Sequence, residues 1–116
     1  MPDTTRPHST PIRPAVYHIL MALAGGDRHG LGIADQIERA SEGAVEMGPG
    51  TLYRSLAEMA GAGLIASVAP PGPDEDPRRK YYRITPEGRG VLAQEAARLN
   101  RLVEAAKAQG ILAEQP

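Results

Sequence analysis

Two groups of residues in this sequence have the types and spacing for chemistry, and both suit the binding of anions and base edges. The first is Gly50, Thr51, Tyr53, Arg54 and Ser55, within the run Gly48-Pro49-Gly50-Thr51-Leu52-Tyr53-Arg54-Ser55-Leu56. Wound as a helix, this run turns Leu52, Leu56 and Met59 to one side and Thr51, Arg54, Ser55 and Glu58 to the other, with Tyr53 on the boundary. Arg54 carries the forked donors that match a guanine edge or a phosphate. The amides of Gly50 and Thr51 stand at a helix N-terminus, a favourable place for a phosphate oxygen. The second group is Arg78, Arg79, Lys80 and Arg83, four cations within six residues. Such a cluster grips a phosphate backbone, and it equally serves as a charged edge that discourages strand pairing. Tyr53 has two readings as well, a hydroxyl offered to a phosphate or a boundary ring packed under its helix.

Other chemistries find little support. There is no cysteine, which removes disulfides, thiolate metal sites and cysteine nucleophiles. The imidazoles are His8, His18 and His29; His29 has no second ligand three or four residues away, and its place ahead of a helix points to a structural role. No glycine-rich loop with a lysine and no spaced Ser/His/Asp grouping is present. The chain is therefore expected to be no enzyme, with no cofactor, no metal and no catalytic residues. The formal net charge is −1, from 13 basic and 14 acidic residues, so any cationic surface has to be local.

The elements that position these groups follow from periodicity. Residues 1–13 hold three prolines among polar residues and read as a flexible arm. From Pro14, Val16, Ile19, Leu20 and Leu23 fall at helical spacing until Gly25-Gly26. A second helix begins near Gly30 on Ile33, Ala34 and Ile37 and ends about Ser41 to Gly43. The third opens at Pro49 and closes at Gly61 or Gly63. Residues 64–68 and 80–84 read as two strands of a hairpin, joined by a proline-rich loop carrying Asp74, Glu75 and Asp76. Thr85-Pro86-Glu87 starts a last helix running to about Gln109. Its stripe of Leu92, Ala96, Leu99, Val103 and Ala106 has coiled-coil spacing and outlasts the domain, so a second copy is expected to cover it.

Helix, helix, helix, hairpin and helix is the order of a winged helix-turn-helix, whose third helix enters the major groove of double-stranded DNA. The expected fold is mainly α with a small β-hairpin, a winged helix-turn-helix plus a C-terminal dimerisation helix. Its divisions are the arm (1–13), the DNA-binding domain (14–85), the dimerisation helix (86–109) and a tail (110–116). No apolar run is long enough to span a membrane, and no secretory leader is visible, so a cytoplasmic place with no membrane partner is expected.

Particular residues then carry a resemblance. Leu23-Ala24 before a break, His29-Gly30 opening the second helix, Gly48-Pro49-Gly50-Thr51-Leu52-Tyr53 opening the third, Gly63-Leu64-Ile65 leaving it, and Arg79-Lys80-Tyr81-Tyr82-Arg83-Ile84-Thr85 followed by Gly88 resemble the PadR family of regulators over about residues 15–105. The resemblance implies a homodimeric winged-helix repressor reading an inverted-repeat operator. It implies DNA contacts from Thr51, Tyr53 and Arg54 and from the wing, and dimerisation through a single terminal helix as in the shorter subfamily. Two departures stand out: Leu31-Gly32 follows the His-Gly pair where an aromatic is common, and acids sit in the wing loop. A small-molecule effector of unknown identity that altered the packing of the terminal helix would change the half-site spacing and lower DNA affinity. With neither Trp nor Phe in the chain, an aromatic sandwich for flat ligands is not expected. The competing reading is a winged helix used as a protein-interaction module, in keeping with the near-neutral charge.

Overall fold

The structure, a computed structural model, describes residues 11–73 and 76–113. Most of the expected arm, Asp74 and Glu75 of the loop, and the end of the tail lie outside the described residues.

Pro14 opens α1 (Pro14–Ala24) at a position where no helical hydrogen bond is lost. Val16, Ile19, Leu20 and Leu23 are all buried, and Ile19 and Leu20 are fully enclosed. The chain then extends briefly as β1 (Arg28–His29) before α2 (Gly30–Ala40). His29 caps that helix, its Nδ1 accepting the Gly32 amide at 3.1 Å, and Ile33 and Ile37 drive the inner face into the core. The helix closes through Gly43, at φ 84°, whose amide donates to the Glu38 carbonyl at 2.8 Å. The Ser41 hydroxyl accepts the Val45 amide at 2.9 Å and so stiffens the turn into the next helix.

That helix, α3 (Pro49–Gly61), buries Leu52, Leu56 and Met59. Gly61 stays in its last turn; Gly63, at φ 80°, supplies the left-handed residue that ends it, and the Leu64 amide donates to the Met59 carbonyl at 3.0 Å. β2 (Ile65–Val68) and β3 (Tyr81–Ile84) follow as an antiparallel pair with Ile65 opposite Ile84 and Val68 opposite Tyr81. The hairpin gains a third strand. β1 pairs with the other edge of β3, His29 opposite Tyr81 and Arg28 opposite Tyr82, giving the order β1-β3-β2. As the central strand, β3 keeps Tyr81, Tyr82 and Ile84 buried while Arg83 stays exposed.

α4 (Pro86–Ala108) is welded to the rest at its first turn. The Thr85 hydroxyl accepts the Gly88 amide at 3.0 Å and donates to the Gly63 carbonyl at 2.7 Å, and the Thr85 amide donates to the Leu64 carbonyl at 3.1 Å. Gly88 passes so close to this backbone that a Cβ would collide with the Leu64 carbonyl. One turn later Leu92 lies within the protomer's own core, at 8% exposure. This corrects its expected place on a dimer surface. The apolar stripe of α4 is shared, its first turns facing α1 and the domain, and only the later turns are free to face another molecule.

Glu95 is also buried, held by Arg98 at 2.6 Å, and the hydrogen bonds from that guanidinium draw its carboxyl below the usual glutamate range. Farther along, Ala96, Leu99 and Ala106 are half-buried, while Leu102 and Val103 are exposed. At the other end of the chain, Ile12 packs against the core and Arg13 forms an ion pair with Glu58 of α3.

The approach of Gly88 to Leu64 yields a test. Gly88→Ala is expected to destabilise the chain by about 1–3 kcal/mol, the range for forcing a methyl group into filled space, because the obstacle is backbone and cannot swing aside. Chemical denaturation checks this, and an unchanged unfolding midpoint would refute the close approach.

Candidate nucleic-acid interface

Burial of Leu52, Leu56 and Met59 fixes the roll of α3 and leaves Gly50, Thr51 and Arg54 exposed, with Tyr53 half exposed. Gly48 caps the helix with no side-chain hydrogen bond, so the first amides of α3 keep the donor capacity typical of an uncapped helix start. Ser55 does not share this face. It is buried at 2% exposure, which corrects the expected outward placement. Residues 52, 55, 56 and 59 fall within about 100° of arc, the width of a normal buried stripe, and a small hydroxyl is tolerated at its edge. Glu58, on the outward face, is neutralised by Arg13.

Tyr53 satisfies part of each of its two readings. Its ring rests on the start of α2, where a Cβ at Gly30 would come within 2.6 Å of the phenolic oxygen and 3.0 Å of ring carbons. A side chain at position 30 would displace the tyrosine from this place. Half of the tyrosine's surface still faces solvent. Beneath it, the Tyr82 hydroxyl is pushed above its ordinary pKa, chiefly by burial and secondarily by Tyr53.

The three cations expected to grip DNA, Arg78, Arg79 and Lys80, and their neighbour Arg83 have separate surroundings. Arg83 grips Asp27 with two hydrogen bonds, at 3.1 and 2.8 Å, tying β3 to the segment after α1 and holding the Asp27 carboxyl below its ordinary range. Arg78 is paired to Asp76 through Nε at 3.1 Å and Nη2 at 3.2 Å, and its amide donates to the same carboxylate at 2.9 Å. These bonds keep Asp76 ionised below its usual range, while Arg78 stays exposed. Arg79 reaches back over the sheet, with Nη1 2.8 Å from Nε2 of His29. Lys80 is exposed. Tyr53, His29 and the run Arg78 to Lys80 border one cavity of about 220 Å³ between α3, the start of α2 and the wing base.

Among the described residues, no group of three or more His, Asp or Glu side chains is placed to hold a metal ion, and no helix is long and apolar enough to cross a membrane. Two contributors escaped the sequence reading. His29 was read as a helix-opening residue, and its second ring nitrogen meets the wing. Leu102 lies three residues beyond Leu99, a helical spacing that was legible but was passed over for the four-residue step to Val103.

Residues 19–94, well over half the chain, match the transcriptional regulator PadR-like family. The chain belongs to that family. A PadR family transcription regulator from hypervirulent Clostridium difficile has a similar structure, with a TM-score of 0.69 and 26% identity over 81% of this chain and 95% of that one. A transcriptional regulator from Clostridium thermocellum also gives 0.69, with 29% identity over 81% and 87% of the two chains. A protein of transposon TN4556 from Streptomyces fradiae, described only as an uncharacterised 37.1 kDa protein, is 36% identical over 84 residues. The chain spans about 22% of the length of that curated relative, against 72% of its own. The PadR-like family and both solved relatives are transcription regulators rather than enzymes, and this chain has the mainly helical winged-helix fold with a small three-stranded sheet.

Proposed function

We propose that this PadR-like chain binds double-stranded DNA as a homodimer and represses genes whose operators carry an inverted repeat. Residues 14–85 read the DNA and residues 86–109 join the two copies. The observation that carries the reading is the cavity where Tyr53 of α3 meets Arg78, Arg79 and Lys80. It sets one exposed side chain of the third helix, Tyr53, beside the cationic wing base, as a duplex touching both elements requires. Thr51 and Arg54 address base edges in the major groove, and the amides at Gly50 and Thr51 and the Tyr53 hydroxyl address phosphates. Arg79 and Lys80 hold the backbone beyond the groove. Dimerisation is supported by Leu102 and Val103, which α4 holds in solvent beside half-buried Leu99 and Ala106. Two copies joined there present two third helices to major grooves about 34 Å apart.

Binding is tested with the duplex upstream of the chain's own gene, a scrambled duplex as competitor, and two salt concentrations. Selective binding that weakens with salt is expected, and Arg54→Ala should remove about 1–3 kcal/mol of discrimination, the worth of one bidentate base contact. A folded chain that prefers neither duplex at either salt would refute the DNA reading and favour a protein-interaction module.

The dimer is tested separately by sedimentation. The wild-type chain should sediment as a dimer at micromolar concentration. Leu102→Asp combined with Val103→Asp should give a folded monomer, since both side chains lie outside the core. A wild-type monomer, or a variant that stays dimeric, would overturn the assigned surface.

A further inference from the structure

The contact between His29 and Arg79 cannot be a hydrogen bond as it stands. Nδ1 of His29 accepts the Gly32 amide at 3.1 Å, and an accepting ring nitrogen carries no proton. The proton of the neutral ring is therefore on Nε2. Nη1 of Arg79 lies 2.8 Å from that nitrogen, and a guanidinium has donors only. Two donors face each other. The opposite tautomer would let Arg79 donate, but it would turn an N–H toward Gly32 and remove the cap of α2. A doubly protonated ring would forfeit both bonds. The ring cannot swing away freely, because it stands edge-on to buried Tyr81, 5.2 Å between centroids, and its residue is paired with Tyr81 in the sheet.

An acceptor beside the pair, with the exposed Arg79 side chain shifted outward to share it, resolves the conflict. An anionic oxygen would take the Nε2 proton of His29 and a guanidinium proton of Arg79 while leaving the cap intact. The place for it exists: the cavity beside this pair is bordered by Tyr53, Arg78 and Lys80, and among the described residues no carboxylate lines it. Resting on the DNA-binding reading above, we infer that His29 and Arg79 together hold one backbone phosphate of the duplex. The cap of the second helix thereby becomes a phosphate contact between the third helix and the wing. In the free protein Arg79 is parked against a ring that cannot accept from it, so it is available when a phosphate arrives.

His29→Asn tests this, because asparagine preserves an N-cap and is too short to reach the phosphate. Affinities of the full chain for the upstream duplex and for the scrambled duplex are measured for wild type, His29→Asn, Arg79→Ala and the double variant, alongside thermal melts. Each single variant should weaken binding roughly tenfold on both duplexes alike, because a phosphate contact carries no sequence information. The double variant should be little weaker than the singles, the two groups sharing one ligand. Wild-type affinity in His29→Asn with an unchanged melt would overturn the inference and leave His29 as a cap alone. If the substitution lowers the melting temperature, long-range proton–nitrogen spectra of the wild-type imidazole decide. Both His29 ring nitrogens should shift on adding the duplex, with Nδ1 still unprotonated, and unshifted nitrogens would overturn the inference. Failure of the wild-type chain to bind either duplex would sink the DNA reading itself and this inference with it, a result distinct from a wild type that binds and a His29 variant that binds equally.

Discussion

The structure depends on one crowded junction, where the end of α3, the strand β2 and the start of α4 are pinned to one another through Gly63, Leu64, Thr85 and Gly88. Three hydrogen bonds of Thr85 converge there, and Gly88 lets two backbones pass at a separation no side chain permits. Because the Thr85 amide and hydroxyl bind the residues that terminate α3, the first turn of the last helix is tied to the end of the third. The third helix, the sheet and the start of α4 are tied at this junction, and α1, packed against α3, α4 and β3, closes the core over them. The outward face of α3 is set by the same packing that encloses Leu52, Leu56 and Met59.

Most of this architecture was legible because its signals are local. Prolines at first helical positions, glycine stops and the threonine cap each act within a turn, and α1, α3 and α4 begin where those residues say. Errors arose where distant parts of the chain decide. β1 is two residues long, too short for any alternation to register, and exists because β3 offers it an edge. Ser55 was placed on the outward side of the helical wheel, whereas its angle, within about 100° of arc with Leu52, Leu56 and Met59, sets it at the edge of the buried stripe. Leu92 and Leu99 share one periodic stripe, and periodicity cannot say where a helix leaves its own domain. Similarly, a run of cations reads as a single patch until the structure supplies Asp27 and Asp76 as partners for two of them.

Those pairings explain how a chain of net charge −1 can keep a cationic surface. Among the described residues, three carboxylates of this domain are engaged by arginines: Glu58 with Arg13, Asp27 with Arg83, Asp76 with Arg78. Exposed pairs of this kind contribute little stability, with medians of about 0–1 kcal/mol. Their larger effect is on the field, since each removes an acid that would repel an anionic ligand. Arg54 and Lys80 stay exposed on the same domain.

The junction at Thr85 also makes α4 a lever. Its opening turns are clamped in the core, while its closing turns stand clear with Leu102 and Val103 bare. A helix of 23 residues is about 34 Å long, so a tilt of about 5° at the clamped end sweeps the far tip through about 3 Å. Mechanical advantage runs in both directions along such an arm. Any strain imposed at the tip returns to the clamp multiplied in force and reduced in distance, and the clamp is shared with the final turn of α3.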